Sequence, residues 1–474
     1  MSITTILNLT IGESKRGKSK RVPRLWMEGE KLARAGVRIG ARYSMQSRTS
    51  RRIELREAAP DYVGQIFTVS KRDRDGVLRP LIDVRSGVLR EVFEQCAKVK
   101  VAIRKGVIVI TASPVALAME QRSRRLLLKL RQGVALGVGS LFHGAGVMDK
   151  ALHQGLLKEG VQSYVNLAIE LKSAYIDASL RNNPELWRDE SVVVCSDIRD
   201  VDLRHCVPSC DLLSAGIPCT GASRAGISKN GLNFAEEHKD AGTMFFDFIE
   251  AVKALNPAIV LVENVVEYLK TASMAVIRSV LKSLGYRLHE SVLEGGDFGV
   301  LERRRRMVLV AVCESLPDNF GFTSLHISRV KEASLSEALE PLADDSSRWR
   351  EYKYLAEKAV EDKKKGRGYA KRQLLTGAES SCGTIGKGYN KGRSTEPFLM
   401  HPTNPALIRL LTPAEHARVK GIPEVVFAGL PETVAHEVLG QAVVFPKIES
   451  VGREIGRVCQ LLRQALVSSH SLAA

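Results

Sequence analysis

The chain has 474 residues, 44% of them apolar, which is enough for two to four domains with buried cores and excludes disorder throughout. No uncharged apolar run approaches 18 residues, so no membrane partner is expected. The net charge of +17 is concentrated: residues 1–130 hold 28 Lys and Arg against 12 Asp and Glu, and residues 363–393 hold nine basic residues against Glu379 alone.

Either basic cluster taken alone would read as a solvated face. Two of them point to a polyanionic partner, nucleic acid first, because Lys and Arg displace counterions from phosphates. The basic cluster Lys15, Arg16, Lys18, Lys20 follows the first apolar run, the wrong order for a secretory signal. The eight cysteines are too scattered for a disulfide scaffold, and a cytoplasmic protein with reduced thiols is expected. Cys206 and Cys210 lie beside His205, but no second ligand pair follows at zinc spacing, so no metal is expected.

In chain order, residues 1–21 read as a flexible basic tail. Residues 22–115 form a strand-rich basic module with apolar runs at 65–69, 99–103 and 107–110. The last two are separated by the hairpin signal Arg104-Lys105-Gly106. A helical linker occupies 116–132. Over 133–315 short apolar runs at 134–141, 164–169, 192–195, 211–215, 258–262 and 307–312 alternate with amphipathic helices. That texture predicts an α/β, doubly wound Rossmann-like domain whose parallel sheet is covered on both faces. The alternation stops over 316–402, which holds the second basic cluster and a loop-like run at 382–393. It resumes over 403–474, ending in a helix at 446–466.

Four segments carry chemistry. The first is the turn Ser140-Leu-Phe142-His-Gly144-Ala-Gly146, where glycines between strand and helix let a ligand approach the backbone. Glu170, ending the second strand, can hold a ribose hydroxyl, and Asp197, after the third, an adenine amino group. Helix-on-strand packing would explain the glycines alone; with both acids, an adenosine-containing cofactor is the better reading. The second is Ser214-Ala-Gly-Ile-Pro218-Cys219-Thr220-Gly-Ala-Ser223, at the carboxyl end of the fourth strand. Ligands of open α/β sheets bind at that edge, although a buried structural thiol would leave the same trace. The third is Glu263-Asn264-Val265, a carboxyl group at a sheet edge that serves either as acid or as helix cap. The fourth, Phe298-Gly-Val-Leu-Glu302-Arg303-Arg304-Arg305-Arg306, ends in four arginines. These suit a solvated or phosphate-binding surface, yet in an extended segment alternate ones face the same way.

In this order the segments resemble the motif series of DNA cytosine-C5 methyltransferases of bacterial or phage type. Gly242-Thr-Met-Phe-Phe-Asp247, Arg409-Leu-Leu-Thr412-Pro-Ala-Glu415-His-Ala-Arg418 and Gly440-Gln-Ala-Val443 match the same series. The resemblance covers about residues 134–315 and 403–465, with the variable target-recognition region, 316–402, between them. It implies S-adenosyl-L-methionine as cofactor and double-stranded DNA as partner. A monomeric catalytic unit associated with the nucleoid, and a restriction endonuclease partner, are in keeping with it.

The resemblance also implies residue roles. The Cys219 thiolate would add to C6 of a flipped cytosine, making C5 able to attack the sulfonium methyl. Glu263 would hydrogen-bond N3 and the exocyclic amine. Arg306 would sit near O2, and Arg304 would help order Cys219 and Glu263. The cofactor would lie against Phe142, Gly144, Gly146, Glu170, Asp197, Ile198 and Pro218, with Gln441, Ala442 and Val443 completing its pocket. Thr220, Glu302 and Gln441 depart from the family's usual Gln, Gln and Asn. Two alternatives keep the fold: a tRNA cytosine-C5 methyltransferase, and a catalytically silent DNA-binding regulator. In the N-terminal module, Arg24-Leu-Trp-Met-Glu-Gly29 with Leu32, Ala35-Gly36 and Ile39-Gly40 faintly resembles the SymE-type proteins with an AbrB-like fold.

Overall fold

The computed structural model describes residues 3–16, 20–49, 51–93, 98–204, 208–218, 235–238, 242–364, 366 and 373–471. They fall into two compact units, 1–121 and 122–474. Among the described residues no helix is long and apolar enough to cross a membrane.

The first unit contains β1 (Thr5–Thr10), β2 (Gly12–Arg16), β3 (Lys20–Glu28), α1 (Glu30–Arg34), β4 (Arg42–Thr49), β5 (Arg52–Glu57) and β6 (Ile66–Thr68). It continues with β7 (Ser70–Arg74), β8 (Val77–Arg85), α2 (Val88–Phe93), β9 (Lys98–Arg104) and β10 (Val107–Ala112). These strands form two antiparallel sheets, β1-β9-β10-β5-β4-β6 and β2-β3-β8-β7. The expected hairpin joins β9 to β10, with Val107 opposite Arg104 and Gly106 at φ +76° supplying the left-handed turn residue. Every second residue of the central strands enters one core, including Leu25, Met27, Val99, Val101, Ile103, Ile108 and Ile110. The first 21 residues are not a tail: β1 and β2 lie within them, and β1 pairs with β9 in full register. The cause is a period-two pattern, Leu7, Leu9 and Ile11, that packs half-buried against this core.

A helix, α3 (Pro114–Gln132), leads to β11 (Leu136–Leu141), α4 (Val147–Lys158), β12 (Ser163–Glu170), α5 (Ser173–Asn182), β13 (Val192–Cys195) and β14 (Leu212–Ala215). Then follow α6 (Met244–Leu255), β15 (Ile259–Asn264), α7 (Ala272–Ser283), β16 (Tyr286–Glu294) and β17 (Arg305–Cys313). The sheet order is β13-β12-β11-β14-β15-β17-β16. The first five strands are parallel and reverse direction of winding between β11 and β14, which opens a crevice at their carboxyl ends. The sheet is mixed, not purely parallel: β17 runs antiparallel to β15 and forms a hairpin with β16, a strand the sequence reading missed. β16 is a half-buried edge, so Arg287, His289, Glu290 and Ser291 interrupt the apolar run that marks the others.

Asp211, just before β14, fastens this domain to its entry helix. Its fully buried carboxylate accepts hydrogen bonds from Arg125 Nε at 3.0 Å, Lys129 Nζ at 2.6 Å and the Gly137 amide at 2.8 Å. Removing it strands two cations and an amide. Asp211→Ala is expected to lower stability by about 3–5 kcal/mol, read as an earlier midpoint in urea with the slope unchanged.

Beyond β17 the chain is mostly irregular, with α8 (Lys353–Lys364), β18 (Leu374–Leu375), β19 (Phe398–Met400) and β20 (Ile408–Arg409). It then returns to the sheet domain through α9 (Pro413–Arg418), α10 (Glu432–Gln441) and α11 (Phe445–Ser471). The motif around Arg409 shapes this return. Thr412 caps α9 in a reciprocal capping box with Glu415, whose buried carboxylate also takes a two-pronged bond from Arg409 at 2.6 and 2.7 Å. Helix α11 crosses α4 at backbone contact: a Cβ on Gly155 would fall on the Glu449 carbonyl, and one on Gly452 would lie 2.7 Å from the Leu152 carbonyl.

Candidate active site

The turn after β11 bends through left-handed backbone at Phe142, Gly144 and Gly146, with φ of +59°, +61° and +75°. A side chain at Gly146 would also meet Ser179 Oγ at 2.5 Å, so both conformation and space require glycine there. Beneath the turn lies a buried polar network absent from the sequence reading. Asp149 accepts from Ser140 at 2.7 Å and from Ser214 at 2.5 Å, and His143 bridges Ser140 and Ser179 at 2.9 and 2.8 Å. The network ties the ends of β11 and β14 to the start of α4.

Glu170, at the end of β12, accepts the Gly144 amide through Oε2 at 2.8 Å and the Lys172 amide through Oε1 at 3.0 Å. Its carboxylate is thereby fixed beside the glycine turn, a donor and acceptor set that suits a ribose diol next to an open helix N-terminus. Ile198 is buried, while the Asp197 carboxylate is engaged by Arg199 at 2.9 and 2.6 Å. That contact holds its pKa below the usual carboxylate range. From the far end of the chain, the Gln441 amide reaches 3.6 Å from the position a Gly144 Cβ would take, with Ala442 and Val443 buried behind it. Gln441 fills by length what a shorter Asn would approach less closely.

Ile217 and Pro218 continue β14 toward the crevice, whereas Cys219, Thr220 and Ser223 lie outside the described residues, as do His205 and Cys206. Asn264 donates its amide to the Ile217 carbonyl at 3.2 Å, so the end of β15 holds the chain two residues before Cys219. Next to Asn264, Glu263 is 9% exposed, with Oε1 at 3.8 Å from Arg306 Nε. The four arginines alternate as an extended segment requires: Arg303 and Arg305 are exposed, Arg304 is buried and Arg306 half-buried.

Arg304 donates to the carbonyls of Ile385 and Gly440, both at 3.3 Å, and thus clamps the 382–393 loop to α10. The loop is pinned again by backbone bonds from Cys382 to Leu301 and from Arg303 to Cys382. Glu302 is fully buried, accepts the Ile385 amide at 2.8 Å and faces Lys420 Nζ at 3.7 Å and Arg304 at 3.6 Å. Its charge, in place of the family's neutral Gln, is therefore matched by a buried lysine. Burial pushes the Lys420 ammonium down to about 7 against the pull of Glu302. A second buried lysine, Lys447 on α11, lies with Nζ 3.5 Å from Glu263 Oε1.

The model of the C-5 cytosine-specific DNA methylase family matches residues 136–457, from the first strand of this sheet to the last helix. The chain belongs to this family. It is similar to the Type II methyltransferase M.NlaX of Neisseria lactamica, 30% identical over 268 residues that cover 55% of this chain and 80% of that protein. It is also similar to the Type II methyltransferase M.Bsp6I of a Bacillus species, 26% identical over 68% of this chain and 98% of that one. Among solved structures, the Dnmt2 methyltransferase of S. pombe shares the fold, with a TM-score of 0.52 at 18% identity, covering 69% of this chain and 99% of that one. The protein is a DNA cytosine-C5 methyltransferase whose methyl donor is S-adenosyl-L-methionine.

Proposed function

We propose that this methyltransferase acts on a cytosine flipped out of a specific duplex sequence, through a covalent adduct between Cys219 and C6. What supports the reading is the tie from Asn264 to Ile217, which couples the strand end bearing Glu263 to the loop bearing Cys219. Bound S-adenosylmethionine supplies an electrophilic methyl group; Phe142, Gly144, Gly146, Glu170, Asp197, Ile198, Pro218 and the 441–443 segment would hold it. Cytosine C5 is a weak nucleophile, and the Cys219 thiolate overcomes this by bonding to C6, so that the C5–C6 electron pair becomes enamine-like. Glu263 hydrogen-bonds N3 and the exocyclic amine, and N3 takes the carboxyl proton as negative charge builds on the ring. Arg306, beside Glu263, faces O2. After methylation the C5 proton leaves to water, the sulfur–C6 bond breaks and N3 returns its proton to the Glu263 carboxylate, restoring the aromatic ring, the thiolate and the acid. Arg304 keeps the 382–393 loop against the site.

In the same reading, residues 316–402 recognise the target sequence and 403–474 complete the catalytic domain, which acts as a monomer. The basic N-terminal module adds contacts to nucleic acid; there Trp26 is covered by Arg24 at 4.0 Å and approached by Arg72 at 5.3 Å. A cytoplasmic, nucleoid-associated enzyme with a cognate restriction endonuclease fits this scheme.

The deciding experiment is transfer of tritiated methyl to duplex DNA with tRNA alongside. Label recovered as 5-methylcytosine in DNA at one sequence is expected, and label confined to tRNA would overturn the reading. For the cofactor, Glu170→Ala is expected to weaken S-adenosylmethionine binding about tenfold, measured by titration calorimetry, with the saturated rate little changed.

A further inference from the structure

Lys447 is fully buried, yet it bears a charge in the third position of a long helix whose buried face is mostly apolar, with Ile448, Val451, Ile455 and Val458. Buried charges are retained where they are paired or used. Its ammonium lies 3.5 Å from Glu263 Oε1, the same oxygen that Arg306 approaches at 3.8 Å. The charged groups that face it are Glu263 on β15, Arg306 on β17 and Arg304 just before β17. Arg304 connects onward to the Glu302 and Lys420 pair. On its own helix, Glu454 is taken up by Arg457 at 2.7 Å.

We propose that Lys447 is a positioning residue for methyl transfer, acting through Glu263: its ammonium fixes the carboxyl group from behind and offsets the charge that Glu263 acquires during adduct formation. The inference rests on the role given to Glu263 above. As the thiolate bonds to C6, the C5–C6 pair is displaced into the ring and N3 takes the Glu263 proton. The negative charge that began on sulfur ends on the carboxylate. Lys447 and Arg306, both on Oε1, stabilise that product and the transition state leading to it, from a position where Lys447 is fully buried and Glu263 nearly so.

The protonated lysine is the active form. Burial pushes its pKa down to about 8, opposed by the Glu263 carboxylate. Activity therefore declines as pH rises through that value.

The test is the pH dependence of kcat for the full chain, wild type against Lys447→Met and Lys447→Gln, with melting temperature, cofactor binding and DNA binding measured beside it. The expected result is retained binding, kcat lower by about 10²-fold in both variants, and loss of the alkaline limb near pH 8. Should methionine prevent folding, glutamine carries the same expectation. A wild-type alkaline limb in either variant overturns the proposal, as does restoration of kcat by the neutral glutamine. Glu263→Gln separates the two ideas. If it is fully active, the role of Glu263 fails and this inference with it; if it is inactive while the lysine variants keep the limb, only the inference about Lys447 fails.

Discussion

Cys219→Ala is expected to reduce methyl transfer to duplex DNA by about 10⁴-fold or more while DNA binding persists, because without the thiolate C5 never becomes enamine-like. Alanine removes only the sulfur from a side chain between Pro218 and Thr220, so the loop keeps its length and its tie through Ile217 to Asn264. The measurement pairs single-turnover methyl transfer with fluorescence anisotropy on the same duplex. A complementary assay uses DNA with 5-fluorocytosine at the target. Fluorine at C5 cannot leave as a proton does, so the wild-type enzyme should form a denaturant-resistant protein–DNA adduct in the presence of cofactor and the alanine variant none. Turnover by the variant near the wild-type rate would rule out covalent catalysis through this residue.

Glu263→Gln is expected to lower kcat by about 10²–10³-fold with binding of cofactor and DNA little affected. Glutamine fits the same space and can still hydrogen-bond the base, but it has no proton to give N3. It also leaves Lys447 and Arg306 facing a neutral amide at a buried edge, so some loss of thermal stability should accompany the kinetic loss. The two variants together separate the nucleophile from the acid: the alanine variant should form no adduct, the glutamine variant an adduct that accumulates slowly.

Much of the site was legible because its residues sit at sheet ends, where the alternation of apolar runs and glycine or acidic residues is abrupt. Glu170, Glu263 and the turn at Gly144 and Gly146 lie where those boundaries put them. Strand direction was not legible. A strand buried on both faces, such as β17, has the same composition whether it runs parallel or antiparallel, and its reversed course follows from its antiparallel pairing with β16. The half-exposed strands β1 and β16 were lost to their polar faces.

Lys420 and Lys447 escaped for another reason: lysine is read as surface by default. A signal for Lys447 was present, since Lys447, Val451, Ile455 and Cys459 follow at four-residue spacing on one helix face and all are buried. The partner of Glu302 could not be inferred without the fold, because Lys420 lies more than a hundred residues away in the chain. Arg304 shows the reverse limit. Motif order marked it in the chain, but its bonds to Ile385 and Gly440 join it to residues 81 and 136 positions further along, which only the fold brings near.

The crossing of α11 on α4 has a consequence for synthesis. The glycine turn, Glu170 and Glu263 all emerge from the ribosome well before Gln441, at the end of α10, and Lys447, in the first turn of α11. A nascent chain that has released everything through β17 holds the glycine turn, Glu170 and Glu263, but neither Lys447, which lies against Glu263, nor Gln441, which lies opposite Gly144. A frameshift or stop upstream of α10 is therefore expected to leave a chain inactive in methyl transfer, however much of its sheet has formed.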